Sequence, residues 1–369
     1  MDNDCKSGAR EHPGFKTIKT QNFWDNLYEK TARKEIPFST TFELTHRCNL
    51  KCLHCYIPLH QRCEIPPGKR EELSSSEIYS ILDQLADLGC FQLNLTGGEP
   101  FVRTDFFDIL TYAKKRGFFT ILLTNASVIS SLTAQRLKDS GINKVEVSLY
   151  GITPLIYEEI TQVPGSFKRC MNGIGHLHNT DIALSIKMMV LSLNKDEFED
   201  IKMFSGKMGA RFKWDYLVHP QIDGSLEPLK YLISPEEAVD MELKTLSSSK
   251  PDNTHSKSDK ISPQKKKALF QCNAGINSLA ITPDGKMNIC LQYRLPQYDV
   301  RKEGLAQQWK NFVDYVKSLG PDSTYQCTNC DFKKNCFWCP AVGLLEEKNA
   351  STCSSYYRQL ARIKTENWF

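Results

Sequence analysis

The stretch TTFELTHRCNLKCLHCY, residues 40–56, decides the reading of this chain. Its first part, Thr40–Leu44, is rich in β-branched and apolar residues and predicts a short strand. Cys48, Cys52 and Cys55 follow at once, so their thiols stand on a loop at the strand's carboxyl end, which in α/β barrels is the active-site face. The C-x3-C-x2-C spacing suits three irons of a four-iron cubane and leaves the fourth iron without a protein ligand, open to bind and reduce something. A zinc site completed by His46, His54 or His60 is the other reading of the same residues.

Working outward, short β-rich runs alternate with helical stretches from about residue 37 to 235. Thr40–Leu44, Gln92–Leu95, Phe118–Leu123, Lys144–Leu149, Ala183–Val190 and Arg211–Val218 predict six strands. Segments such as Ser76–Leu88 and Phe106–Lys115 carry apolar residues at i, i+3, i+4 spacing behind Ser or Asp caps. Repeated β-α units imply a parallel sheet with helical crossovers, too few for a closed eight-stranded barrel. Before them, residues 1–36 form an N-terminal arm in which Phe23, Trp24, Leu27 and Tyr28 fall at helical spacing. After them come a helix over 236–246 and a lysine-rich polar linker over 247–267, within a connecting segment 236–270.

The chain has 369 residues, 40% of them hydrophobic, and a formal net charge of +4, which points to a folded protein and to neither nucleic acid nor membrane as a partner. The amino-terminal residues lack the basic start and apolar core of a secretory signal, so a cytoplasmic location is expected. Fourteen cysteines in 369 residues are too sparse for a disulfide scaffold, where about 8–10% is usual, and metal binding is the leading explanation.

Seven more of them cluster in a cysteine-rich segment over 271–356: Cys272 and Cys290, then Cys327, Cys330, Cys336 and Cys339, and finally Cys353, ahead of a helical tail over 357–369. With a thin apolar core, that segment needs metal to fold. Ile281–Ile289 predicts a hairpin with an Asp284-Gly285 turn that presents Cys290, and Gly304–Leu319 a helix. Two zinc-ribbon sites would use the same spacing. Of the spare cysteines, Cys90 and Cys170 are expected to be buried packing residues; the alternative is that one spare cysteine donates a hydrogen atom.

The Cys48, Cys52 and Cys55 motif, with His54 beside the last cysteine, resembles the radical S-adenosylmethionine (SAM) superfamily. Thr96-Gly97-Gly98-Glu99-Pro100, directly after the second strand, is similar to that family's motif for the SAM amino group. Paired glycines let backbone approach closely, and a carboxylate takes up an ammonium's charge. Ser148 resembles the family's SAM-contacting serine. Asn125, Lys187 and Leu191 match weaker positions for ribose, carboxylate and adenine, and His54 joins the SAM set.

The later cysteines resemble the SPASM extension of such enzymes, although the last gap of the quartet is two residues where three is usual. The resemblance implies an α/β fold, a partial (β/α)6 TIM-like barrel over 37–235 followed by a small SPASM domain, and three four-iron (4Fe-4S) clusters with SAM as cofactors. Cys48, Cys52 and Cys55 would hold the SAM-binding cluster. Cys272, Cys290 and Cys339 would hold auxiliary cluster I, and Cys327, Cys330, Cys336 and Cys353 auxiliary cluster II.

Val147–Gly151, Val163–Phe167 and Cys339–Ala341 look most like the peptide-modifying maturases of ribosomal natural products. That implies a precursor peptide as substrate, an oxidative crosslink as product, an electron donor such as flavodoxin or ferredoxin, and a separate leader-peptide recognition protein or direct docking on the arm or linker. Leu291 stands where sulfatase-maturing relatives carry an acid. A cofactor or tetrapyrrole intermediate is the alternative substrate, and a zinc-binding scaffold the alternative class.

Overall fold

A computed structural model describes residues 20–63, 72–248, 269–270, 272–302 and 304–367. Helix α1 (Thr20–Arg33) precedes β1 (Ser39–Thr45), and the short α2 (Leu59–Cys63) and α3 (Ser75–Asp87) lead to β2 (Gln92–Gly97). Then follow α4 (Phe106–Lys115), β3 (Phe119–Thr124), α5 (Ser131–Asp139), β4 (Lys144–Ser148), α6 (Pro154–Thr161), α7 (Ser166–His178), β5 (Leu184–Met189), α8 (Phe198–Lys207) and β6 (Arg211–Asp215). The rest of the described chain holds α9 (Pro235–Ser248), β7 (Ser278–Ile281), β8 (Lys286–Asn288), β9 (Tyr298–Asp299), α10 (Leu305–Ser318), α11 (Pro340–Glu347) and α12 (Ser355–Asn367).

Strands β1 to β6 lie side by side in chain order and all run parallel. Side chains alternate between the two faces of a strand, and the sequence uses the alternation fully. Leu93, Leu95, Leu122, Val145, Val147 and Ile186 turn outward into the core that Ile78, Leu82, Leu85 and Ile109 of the helices complete. Residues one step along each strand, among them Glu43, Asn94, Glu146 and Lys187, face the opposite way into a lumen. Helix α3 starts where a reciprocal cap allows it: Ser74 Oγ accepts from Glu77 N, and Ser74 N donates to the Glu77 carboxylate at 2.8 Å.

The cysteine-rich segment is less separate than its composition implies. Strand β7 pairs in parallel with the free edge of β1, from Ser39 opposite Ser278 to Phe42 opposite Ile281, and β8 and β9 extend the same sheet to nine strands. Leu279, Met287, Trp309 and Phe312 join the barrel's own core. A module with little apolar material thus acquires a core by sharing one.

The hairpin turns at Asp284-Gly285 as expected. The sixth strand ends at Asp215 rather than at Val218, because Asp215 Oδ1 accepts from Leu217 N at 2.9 Å and bends the chain. Helix α11 is an addition to the expected elements; Pro340 at its first turn costs no hydrogen bond there. Most of the lysine-rich linker, Cys5 and the first part of the amino-terminal arm lie outside the described residues. Among the described residues no helix is long and apolar enough to cross a membrane.

Candidate active site

The three-cysteine loop leaves β1 at Thr45 and is fixed by its own backbone. Cys48 N donates to Arg62 O at 3.1 Å, Lys51 N to Thr161 O at 2.9 Å and Leu53 N to Ile160 O at 3.0 Å, so the loop rests on α2 and the end of α6. From β2, Gly98 N donates to Thr45 O at 2.7 Å and Glu99 N to Arg47 O at 2.9 Å. The sequence assigns Gly97 and Gly98 to close approach of a ligand; the structure shows them meeting the loop itself. A Cβ on Gly98 would stand 2.2 Å from Arg47 O, and one on Gly97, whose φ is +136°, 2.1 Å from Thr45 O. Gly98→Ala is therefore expected to displace the loop at a cost of about 1–3 kcal/mol. A lower thermal midpoint together with less iron bound per chain would report it.

Burial raises all three thiols, Cys48 to about 12 and Cys52 and Cys55 in the same direction, while the Arg62 guanidinium pulls them back. Arg62 is buried, with its Nε lacking a partner among the described residues and Nη1 on Cys52 O at 3.4 Å. Asn125 Nδ2 lies 3.9 Å from Cys48 Sγ and donates to Asn49 Oδ1 at 2.9 Å; Asn49 in turn donates to Ser127 Oγ at 2.7 Å. A buried cation and amide beside three thiols fit a group that needs thiolates and carries negative charge.

Glu99 is fully buried. It accepts from Thr124 Oγ1 at 2.9 and 3.0 Å, from Asn125 N at 2.9 Å and from Phe101 N at 3.3 Å. Burial pushes it up to about 7, and none of the described basic side chains pairs with it. A carboxylate lacking a counter-cation suits an ammonium ligand.

The ring of His54 meets Tyr150 edge-on at 4.5 Å, its Nδ1 is buried without a partner, and burial lowers it to about 4. Ser148 ends β4 directly opposite Lys187 on β5. Lys187 points down the lumen, its ammonium 3.9 Å from Glu146. Leu191 is fully buried in a small apolar cluster with Ile160 and Val218. The named positions thus share the carboxyl ends of β1 to β5, with Lys187 and Leu191 held by neighbours of their own.

Several of the later thiols lie near enough to perturb one another. Burial raises Cys339 to about 11, with Cys290 and Cys272 adding to the effect, and Cys290 feels Cys272 likewise. Cys353 and Cys336 share a hydrogen bond that raises Cys353 and holds Cys336 down to about 7; Cys327 and Cys330 also act on Cys353. Among the described residues no three His, Cys, Asp or Glu side chains form a single-ion site.

Sequence reasoning missed the connection between the two halves. Glu43 of β1, wholly buried, accepts from Arg294 Nη2 at 3.0 and 2.8 Å and from Tyr56 Oη at 2.7 Å, with His46 Nε2 at 3.5 Å. Burial alone would raise this carboxyl; Arg294 and His46 outweigh it and hold it near 2. Arg294 also donates from Nε to Leu291 O at 2.9 Å, next to Cys290. An acid inside an otherwise uncharged strand was the available signal. Cys90 and Cys170 are buried as expected. Cys90 immediately precedes β2, at the end of the strand away from the cysteine loop, where it contacts Thr40 Oγ1 at 3.3 Å.

Fold and loop together define an α/β half-barrel with three thiols on the loop after its first strand. Residues 42–204, which hold the cysteine loop and the Gly97-Gly98-Glu99 turn, match the family model of the Radical SAM superfamily. The chain is 32% identical over 169 residues to an AdoMet-dependent heme synthase of Nitratidesulfovibrio vulgaris, covering 46% of this chain and 45% of that one, so the match spans about half of that relative. It is 26% identical over 338 residues to a PqqA peptide cyclase of Rhizobium meliloti, covering 85% of this chain and 86% of the relative. In fold it is similar to Streptococcus suis SuiB, solved bound to the precursor peptide SuiA, with a TM-score of 0.67 at 16% identity, covering 95% of this chain and 84% of that one.

Proposed function

We propose that the chain is a radical SAM enzyme with a SPASM module that modifies a ribosomally made precursor peptide, installing a carbon–carbon or thioether crosslink. Cys48, Cys52 and Cys55 hold the SAM-binding cluster, Cys272, Cys290 and Cys339 auxiliary cluster I, and Cys327, Cys330, Cys336 and Cys353 auxiliary cluster II. What supports the three-cluster reading is the cysteine pattern, with Cys339 near Cys290 and Cys272 and with Cys353 near Cys336, Cys327 and Cys330. When bound, the first cluster supplies the electron that cleaves SAM and yields a 5′-deoxyadenosyl radical able to abstract hydrogen from the substrate.

The chain's own residues orient and enclose. Arg62 offsets the charge of the thiolates, Asn125 steadies Cys48, and Glu99 awaits the SAM ammonium with Gly97 and Gly98 sealing β2 against the loop. His54 and Tyr150 keep water from the rim with their edge-on rings. Similarity to a PqqA peptide cyclase over 85% of this chain and 86% of that one supports a peptide substrate. Similarity to AdoMet-dependent heme synthases favours, as a second reading, a tetrapyrrole substrate. Electrons would come from a flavodoxin or ferredoxin, and the leader peptide would be recognised by a separate protein or by docking.

Anaerobic reconstitution followed by metal analysis tests the assignment. About twelve irons per chain are expected for three cubanes. Colourless protein with stoichiometric zinc would overturn it.

A further inference from the structure

We propose that the lumen beneath the cysteine loop is an anion site that receives a carboxylate of the substrate, with Lys187 and Lys213 as its recognition groups and an acidic peptide side chain as its occupant. The peptide part of this inference rests on the function proposed above.

Strand register puts the charged residues on one face. Lys144 pairs opposite Ile121, Glu146 opposite Leu123, Lys187 opposite Ser148, and Lys213 opposite Lys187, and cross-strand partners share a face. All of them are turned away from the helices. Three ammonium groups therefore surround one carboxylate: Lys144 lies 2.9 Å from Glu146, Lys213 bonds it directly, and Lys187 stands off at 3.9 Å, beyond hydrogen-bond length. The group keeps two positive charges that Glu146 does not offset. Across the lumen, Glu43 is already neutralised by Arg294.

Exposure separates the receptor from its support. The side chains of Lys187 and Lys213 are 42% and 36% exposed, whereas that of Glu146 is 7% exposed. Glu146 holds the lysines in place and the lysines face the open space. Beside them Ser185, opposite Glu146 and Arg211 in register, is fully buried and its hydroxyl has no partner. Lys187 is level with Ser148 at the carboxyl end of β4. With a rise of about 3.3 Å per residue, a carboxylate bound there leaves the neighbouring carbons of the same residue close beneath the loop where the radical forms. Lysines act as point charges and so accept either aspartate or glutamate.

The test uses the anaerobically reconstituted full chain and two probes, acetyl-Gly-Glu-Glu-Gly-amide and the same peptide with Gln at both central positions, followed by titration calorimetry. The acidic probe should bind at least about tenfold more tightly than its Gln counterpart, and Lys187→Met with Lys213→Met should remove that preference, a difference equivalent to about 1.4 kcal/mol. Lys187→Arg with Lys213→Arg should restore it. Equal binding of the two probes, or a preference that survives the Met variant, would overturn the proposal. A parallel loss of SAM affinity in the Met variant would assign the lysines to the SAM carboxylate and equally overturn it. Lysine-dependent binding of coproporphyrin III without binding of the acidic peptide would overturn the peptide occupant. Iron content and SAM cleavage measured on the same preparations fail separately if the proposed function, rather than the anion site, is wrong.

Discussion

Replacing Cys48, Cys52 and Cys55 together with Ala should abolish reductant-dependent formation of 5′-deoxyadenosine and leave about eight of about twelve irons in place. The loop does not depend on its thiols for shape: its backbone donors at Cys48, Lys51 and Leu53 are bonded to Arg62, Thr161 and Ile160, and Gly98 and Glu99 grip it from β2. The triple variant therefore keeps the scaffold and loses one metal site. Burial holds the three thiols protonated at neutral pH when nothing is bound. It is metal that draws them into the thiolate form, with Arg62 assisting. The seven later thiols lie ahead of β7 (Cys272), just after β8 (Cys290), in the segment before α11 and two residues before α12 (Cys353), none of which the substitutions touch. Product assay by mass spectrometry and iron analysis of the same sample check both halves. Undiminished 5′-deoxyadenosine would remove the catalytic role from these cysteines, and loss of all iron would show that the sets do not fold independently.

Much of this was legible in residues 40–56 and in the cysteine spacing, because both rest on local rules. A strand of β-branched residues followed by thiols fixes where the loop stands, and period-two alternation in KVEVS and LSIKMM fixes which side chains look inward. The resemblance divides the later cysteines into two interleaved sets; in the structure Cys339 feels Cys290 and Cys272, and Cys353 feels Cys336, Cys327 and Cys330. What escaped depends on contacts between residues far apart in sequence. Glu43 and Arg294 are 251 positions apart. The pairing of β7 with β1 joins segments separated by more than two hundred residues, and nothing local to Ser278–Ile281 specifies which edge it takes. Gly97 and Gly98 were recognised as close-approach residues, but the partner at that approach, the backbone of Thr45 to Arg47, could be identified from coordinates alone. Lys144, Glu146 and Lys213 were within strands already assigned; their common purpose emerges once register sets them around a single carboxylate.

Glu43→Ala should be the most damaging single substitution outside the cysteines. A buried ion pair adds little net stability when intact, since desolvation offsets attraction, but removing one partner strands the other and typically costs about 3–5 kcal/mol. Here the stranded group is Arg294, whose side chain is 12% exposed and whose guanidinium has two of its bonds to Glu43. Tyr56 Oη, fully dependent on the same carboxylate, loses its acceptor as well. Because Tyr56 directly follows Cys55 and Arg294 directly follows the Cys290 turn, where Tyr293 N donates to Cys290 Sγ at 3.2 Å, the damage reaches both metal loops at once. Glu43 is a positioning residue: through Tyr56 and Arg294 it fixes the Cys55 loop relative to the Cys290 loop. Glu43→Gln retains an acceptor for Tyr56 but turns an amide toward the guanidinium, so its loss should fall between wild type and Ala. The expected result is a stepwise drop in thermal midpoint from Glu to Gln to Ala, with broadened electron paramagnetic resonance of both the SAM-binding cluster and auxiliary cluster I in the Ala variant. A change confined to the thermal midpoint, with the spectra of both clusters unaltered, would reduce Glu43 to a packing role.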